Sequence, residues 1–146
     1  MRSRGLRNHN PGNIRRTSGR GVYRGEVEQP TDPEFRQFVA PKWGYRALFV
    51  VLYTYEIRHR LRTPRQMISR WAPPTENHTE TYIRFVCEQT GLSPDTPISA
   101  LDPKIMLPFG AAISEMENGE KASWEDLEAG WELFFRDYGP KSTKKR

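Results

Sequence analysis

The feature that most constrains the fold is an apolar pattern at helical spacing in the first half of the chain. Its members recur at i, i+3 and i+4 and continue toward Ile57; they are Tyr45, Leu48, Phe49, Leu52 and Tyr53. The pattern predicts a long amphipathic helix that begins near Lys42. Its other face carries basic residues that we expect in solvent, namely Arg46, Arg58, His59 and Arg60. The longest apolar run, 47 to 53, is too short to span a bilayer, so no membrane role is predicted.

Start and stop signals predict about four further helices, which gives about five in all. Thr63 and Pro64 supply the cap and the first-turn residue of the second helix. Pro108 is expected to begin the fourth helix, because a proline deeper inside a helix breaks its hydrogen bonds. In chain order, the four helices run from 64 to 71, from Asn77 or Thr79 to Gly91, from Pro108 to Gly119, and from Ser123 to Gly139.

Residues 8–40 differ in character, since they are rich in Asn, Gly, Pro and Arg. Short β-favouring pieces occur at 13–15, 21–23 and 35–39, and the residues at 18–21 favour a turn. The predicted fold class is therefore α+β, mainly α, with a small N-terminal β-hairpin region. A chain of 146 residues suits one core, so we predict a single domain over 1–140 and a basic flexible tail over 141–146.

Composition argues against several classes of function. The net charge of +5 favours polyanionic partners, but no motif typical of nucleic-acid binding occurs, so nucleic acid is not an expected partner. The three histidines lack the spacing of a zinc site and no phosphate-binding glycine loop is present, so no metal and no cofactor are predicted. Cys87 is the one cysteine, and we expect an inert buried thiol there.

One carboxylate lies where a general acid could be built. Glu117 ends an apolar helix, directly before Asn118 and Gly119. A carboxyl group packed against apolar side chains has a raised pKa and stays protonated as a general acid near neutral pH. The alternative is an ordinary last-turn glutamate on the surface, and spacing alone does not decide between the two.

Two motifs resemble known families. Ala112-Ile113, separated by three residues from Glu117-Asn118-Gly119, resembles the helix end of the lysozyme-like superfamily, especially lytic transglycosylases. The resemblance implies a lysozyme-like fold with Glu117 as the catalytic glutamate. Residues 7–15, Arg-Asn-His-Asn-Pro-Gly-Asn-Ile-Arg, resemble the opening of small phage and prophage virion proteins, and together with 43–47 and 71–79 this likeness covers nearly the whole chain.

The same segment, 7–15, is also similar to the Asn-rich strand entry that follows the catalytic glutamate in glucosaminidase-type members of the superfamily. Here the order is reversed, because the glutamate motif lies near the C-terminus. We therefore hypothesise a circular permutation that brings Glu117 beside Asn10 and Asn13.

The resemblance also implies roles for other residues. Besides Glu117, the candidate substrate-binding residues are Asn10, Asn13, Tyr23 and Tyr82. An ordinary hydrolase needs a second carboxylate, for which Glu26 and Glu28 are candidates, whereas a transglycosylase works with one glutamate. For Trp71 we favour a place in the core over stacking on a sugar.

Two interpretations remain. The first is a phage-type enzyme that cleaves peptidoglycan glycan strands, as a lytic transglycosylase or a muramidase, with peptidoglycan and other virion proteins as partners. The second is a non-catalytic virion structural or cell-wall-binding module on the same scaffold. Residues 1–7 have positive charge without an apolar stretch, so no signal peptide is predicted. The expected location is the virion or the bacterial cytoplasm, with action on the host cell wall.

Overall fold

The structure, a computed structural model, describes residues 2–16, 22–74 and 78–141. The described residues form six helices, which confirms the mainly helical class: α1 Arg4–Arg7, α2 Pro41–His59, α3 Pro64–Trp71, α4 Thr79–Thr90, α5 Pro103–Asn118 and α6 Trp124–Tyr138. Helix α1 was not predicted. Among the helices described, none combines the length and the apolar character needed to cross a membrane.

Helix α2 is the centre of the fold, and it packs against α5 and α6. The Phe49 ring meets Trp131 edge-on, with 5.1 Å between ring centroids, and lies in the same core as Phe134. The prediction that Arg46 is solvated is wrong. Its side chain is buried and donates a 2.8 Å bond from Nη2 to Asp137 on α6, so it joins the two helices.

The other helices begin directly after their N-cap residues. Helix α3 has a capping box, in which Thr63 and Gln66 satisfy each other's backbone N–H groups, as the sequence signals indicated. Ser123 caps α6, also as predicted. The N-cap of α4 is His78, not Thr79, and Asn77 lies outside the described residues.

Helix α5 begins five residues earlier than predicted. Asp102 caps it by accepting the N–H of Lys104, and Pro103 occupies the first position, so Pro108 lies inside the helix. Proline lacks an N–H, but it removes only one intrahelical hydrogen bond. Burial of Met106 and Phe109 on either side of Pro108 offsets that loss.

The N-terminal segment, 8–40, has little regular structure. Its described residues hold two single antiparallel bridges, Arg15 to Phe35 and Glu26 to Phe38, in place of the predicted hairpins. Side-chain hydrogen bonds take the place of the backbone hydrogen bonds of a strand pair. The Asn10 amide donates to the carbonyl oxygens of Ile14 and Arg36. The predicted turn at 18–21 lies outside the described residues.

This segment lies directly on α2. Ile14 and Phe38 form a second, smaller core with Ala47 of the helix. A Cβ atom at Gly44 would collide with the carbonyl oxygen of His9, so the backbones approach as closely as only glycine permits. The described residues of this segment are therefore held in place by packing against α2.

Asp32 joins this segment to α1. Its carboxylate is buried and accepts from the Arg4 guanidinium at 2.7 and 2.8 Å and from the Asn8 amide at 2.9 Å. The backbone N–H groups of Glu34 and Phe35 complete its shell. The bond from Arg4 is the largest of the effects that hold the pKa of Asp32 far below its usual range, so it stays charged.

Candidate functional site

Glu117 lies in the last turn of α5, which ends at Gly119 in the left-handed conformation. Its side chain is partly buried, and it faces α4 and the N-terminal segment rather than open solvent. The predicted alternative, an ordinary surface glutamate, does not fit this setting.

Two side chains from distant parts of the sequence hold the carboxylate. The Asn13 amide donates to Oε1 at 2.8 Å, and the Tyr82 hydroxyl on α4 donates to Oε2 at 2.9 Å. The Trp71 side chain, at the end of α3, is also close enough to lower the pKa of Glu117. The two hydrogen-bond donors of Glu117 are thus neutral and come from the N-terminal segment and from α4.

Burial and hydrogen bonding act on this carboxyl group in opposite directions. Removal from water disfavours the charged form and is the largest effect, so the pKa of Glu117 is raised. The bonds from Asn13 and Tyr82, the Trp71 side chain and the more distant charge of Arg15 lower the pKa in part. The net effect is a carboxyl group that binds its proton more tightly than an exposed glutamate does.

Tyr82 remains a donor across the physiological range. Its phenol is buried, and burial followed by the nearby charge of Glu117 raises its pKa well above the usual value. The hydroxyl therefore does not ionise, and it supports the Glu117 carboxylate without competing for its proton.

Asn13 adopts an unusual backbone conformation, with φ of 51° in the left-handed region. Asparagine tolerates this region better than most residues, but it still indicates a backbone that its surroundings hold in place. Its Oδ1 is buried with no hydrogen-bond partner among the residues that the structure describes. The segment thus directs the amide donor of Asn13, rather than its oxygen, to Glu117.

Of the predicted substrate-binding residues, Asn13 and Tyr82 reach Glu117, whereas Asn10 and Tyr23 serve the scaffold. Asn10 has no exposed surface and its amide bonds backbone groups, so the predicted sugar contact of Asn10 is wrong. Tyr23 is half-buried against both cores, with the Arg36 guanidinium 4.9 Å from its ring centroid. The hypothesis that Glu117 lies beside Asn10 and Asn13 therefore holds for the Asn13 side chain.

The candidates for a second carboxylate differ from each other. Glu26 forms a 2.7 Å ion pair with the buried Arg36 and accepts the backbone N–H of Tyr23. Oε1 accepts both of these bonds, which tie Glu26 to the scaffold. Glu28 is exposed, and the described contacts do not connect it to Glu117.

Sequence reasoning missed Trp71 and Arg15 as neighbours of Glu117. Trp71 was assigned to the core, and it does pack there, but its side chain is also close enough to lower the pKa of Glu117. Arg15 lies two residues after Asn13 in the quoted motif, which is the signal that could have indicated it. The described residues contain no group of three His, Cys, Asp or Glu side chains placed to hold a metal ion.

Comparison with known proteins connects the chain to a bacteriophage. No established family model matches it. The chain is 36% identical over 135 residues to protein P5 of Pseudoalteromonas phage PM2, and the match covers 91% of the chain and 82% of the phage protein. The chain therefore belongs to the family of this phage protein, which confirms the predicted relationship to phage proteins.

Proposed function

We propose that the protein is a phage-type enzyme that cleaves the glycan strands of peptidoglycan, with Glu117 as the general acid. The scaffold would be lysozyme-like with a circularly permuted chain order, and the virion would carry the enzyme to the host wall. The observation that supports this most is the setting of Glu117: partly buried, with a raised pKa, and hydrogen-bonded by Asn13 and Tyr82.

The proposed reaction begins with proton transfer. Glu117 donates its proton to the glycosidic oxygen, the bond to the leaving sugar breaks, and positive charge develops on the remaining sugar. As Glu117 becomes a carboxylate, the bonds from Asn13 and Tyr82 strengthen, because they favour its charged form. Burial keeps the proton in place before the reaction, and the two donors lower the cost of releasing it.

The anhydro-forming reaction of a lytic transglycosylase fits this site better than hydrolysis. A hydrolase of the usual kind requires a second carboxylate, and Glu26 is committed to Arg36. In the transglycosylase reaction the Glu117 carboxylate then removes the proton from a hydroxyl group of the same sugar. That oxygen attacks the cationic carbon, and the ring closes without water.

The experiment compares Glu117→Gln with the matched control Glu115→Gln, which changes the same residue type in the same helix turn. We expect purified wild-type protein and E115Q to clear suspended cell walls and to release fragments with anhydro ends, detected by mass spectrometry. E117Q should lose about 10² to 10⁴ in rate. Clearing by E117Q at the wild-type rate would remove Glu117 from the mechanism.

The second candidate is a non-catalytic virion structural or wall-binding module, and one observation favours it. Both oxygens of Glu117 are hydrogen-bonded, so the residue also fastens the N-terminal segment to α4. If that is its whole role, the protein should bind walls and other virion proteins without releasing fragments. E117Q should then lower the melting temperature and leave binding intact.

A further inference from the structure

The residue after Glu117 makes its own connections to the N-terminal segment. Asn118 donates from Nδ2 to the carbonyl oxygen of Pro11 at 2.8 Å and to that of Ser114 at 2.9 Å. Its Oδ1 accepts from the hydroxyl of Ser3, the residue that caps α1. One amide thus joins the end of α5 both to α1 and to the turn that precedes Asn13.

That turn is short, and its first residue is held by the bonds from the Asn10 amide to the carbonyl oxygens of Ile14 and Arg36. The Asn13 N–H donates to the Asn10 carbonyl at 3.0 Å, so Pro11 and Gly12 lie between two fixed points. Asn13 itself is held at positive φ, a conformation that costs about 1 kcal/mol or more outside glycine. The bond from Asn118 to Pro11 connects this turn to the helix carrying Glu117, beside the bond that Asn13 makes to Glu117 itself.

Gly5 leaves space beside the side chains of Asn13 and Asn118. A Cβ atom at this position would lie 2.5 Å from Oδ1 of Asn118 and 2.8 Å from Oδ1 of Asn13. Gly5 is helical and its φ is not positive, so alanine there would carry no backbone strain and would favour the helix. The same Cβ atom would lie 2.9 Å from the backbone carbonyl oxygen of Asn10, so the requirement for glycine is one of space beside the two amides and this carbonyl.

We propose that Asn118 is a positioning residue for the Glu117 site: it holds the turn at 10–13 so that the Asn13 amide reaches the carboxyl group, and Gly5 gives it the room to do so. The positioning itself is independent of the reaction, whereas its catalytic consequence rests on the proposed function. Asn118 acts through Asn13 and touches no reacting atom.

The direction of the effect follows from the contacts. Without Asn118 the Pro11 carbonyl loses its bond to α5, the bond from Asn13 to Glu117 must hold the turn alone, and the positive φ of Asn13 favours relaxation away from Glu117. Glu117 then lacks a donor that favours its charged form, so its titration moves to higher pH. Misplacement by about 1 Å also costs up to about a hundredfold in rate.

The test is a ¹³C NMR titration of the glutamate carboxyl groups, with E117Q used to assign the Glu117 signal. We expect Asn118→Ala and Gly5→Ala each to raise the titration midpoint of Glu117. The control is Tyr45→Phe, which removes the buried bond to Ser114 on the same helix without touching the turn. It should lower stability and leave the midpoint unchanged.

Several results would overturn the proposal. One is a folded G5A variant with the wild-type midpoint, and another is a Y45F variant that shifts the midpoint as far as N118A does. If N118A does not fold, G5A and Asn118→Ser answer the same question.

A parallel assay separates this proposal from the proposed function. With wild-type protein active on cell walls, N118A should lower kcat by roughly tenfold to a hundredfold with little change in KM. If the wild type is inactive and the midpoints still shift, the proposed function fails and the positioning role stands. Unchanged midpoints overturn the positioning role whatever the activity.

Discussion

Asp32 and Glu117 are both carboxylates that accept several hydrogen bonds, yet their acidities move in opposite directions. Asp32 meets the cationic Arg4 and two backbone N–H groups, and its pKa lies far below the usual range. Glu117 is partly buried, its hydrogen-bond donors Asn13 and Tyr82 are neutral, and its pKa is raised. The difference lies in whether a cation compensates for the loss of water.

This contrast separates a residue that stabilises the fold from one that can transfer a proton. A carboxylate paired with a cation gains free energy from its charge and gives up that charge only in strong acid. A carboxyl group buried among neutral donors can change its charge state near neutral pH.

Asp32→Asn should produce the largest change in stability. The substitution removes the charge and turns one acceptor atom into a donor that faces the donors of Arg4 and Asn8. We expect the free energy of unfolding to fall by roughly 2 to 3 kcal/mol at pH 7. Urea denaturation measures it, and the exposed Glu28→Gln is the control. A loss under about 0.5 kcal/mol would mean that the Asp32 cluster contributes little.

Acid should destabilise the wild type through Asp32. Because its pKa is lowered from 3.8 on folding, its contribution is present above about pH 4 and is lost as the pH falls below that value. Melting temperatures measured from pH 7 to pH 2.5 should fall at the acid end. D32N should show a flatter decline there. Parallel curves for the two proteins would assign acid unfolding to other groups.

Glu117→Gln should have the opposite effect on stability, and a smaller one. Glutamine fits the same space, with its oxygen accepting from Asn13 and its NH₂ donating to the Tyr82 oxygen, but it lacks the charge that strengthens bonds to a carboxylate. A pKa raised on folding from 4.5 adds stability below that value, and the benefit is lost as the pH rises. We therefore expect E117Q to melt slightly above the wild type at pH 7, with the gap closing toward pH 4. A lower melting temperature at pH 7 would favour the structural role.

Tyr82→Phe should give the smallest effect, a change in the pH dependence of wall clearing. It removes a donor that favours the charged form of Glu117, so the pKa of Glu117 rises further. The general acid must be protonated, so the alkaline limb of the kcat/KM profile should move to higher pH. Tyr53→Phe, on α2, is the control. If the alkaline limb of the kcat/KM profile is unchanged in Y82F, Tyr82 does not affect the pKa of Glu117.

The helices were largely predictable because their signals are local. The residues around Tyr45 and Leu48 repeat at helical spacing, and Thr63 and Ser123 are caps that act on their own first turns. Pro108 misled the prediction, since a local rule about proline does not include the burial that lets α5 continue past it.

The site was predictable only in part. Glu117 and its proximity to Asn13 came from motif resemblance, not from spacing, because 104 residues separate them. The partners of Arg46 and Asp32 were missed, since ion pairs across the fold leave no periodic signal in the sequence. The β-hairpin expectation was wrong in the described part of 8–40, where side-chain amides such as Asn10 bond the backbone in place of a ladder.

The bond between Asn13 and Glu117 also has a consequence for folding order. Joining residues 104 positions apart has an entropy cost of loop closure, and this cost is offset only when the rest of the fold has formed. Until both ends of the chain meet, Glu117 is an ordinary solvated acid. In a nascent or half-folded copy the pKa of Glu117 is therefore not raised, and the shift appears only in the step that completes the tertiary structure.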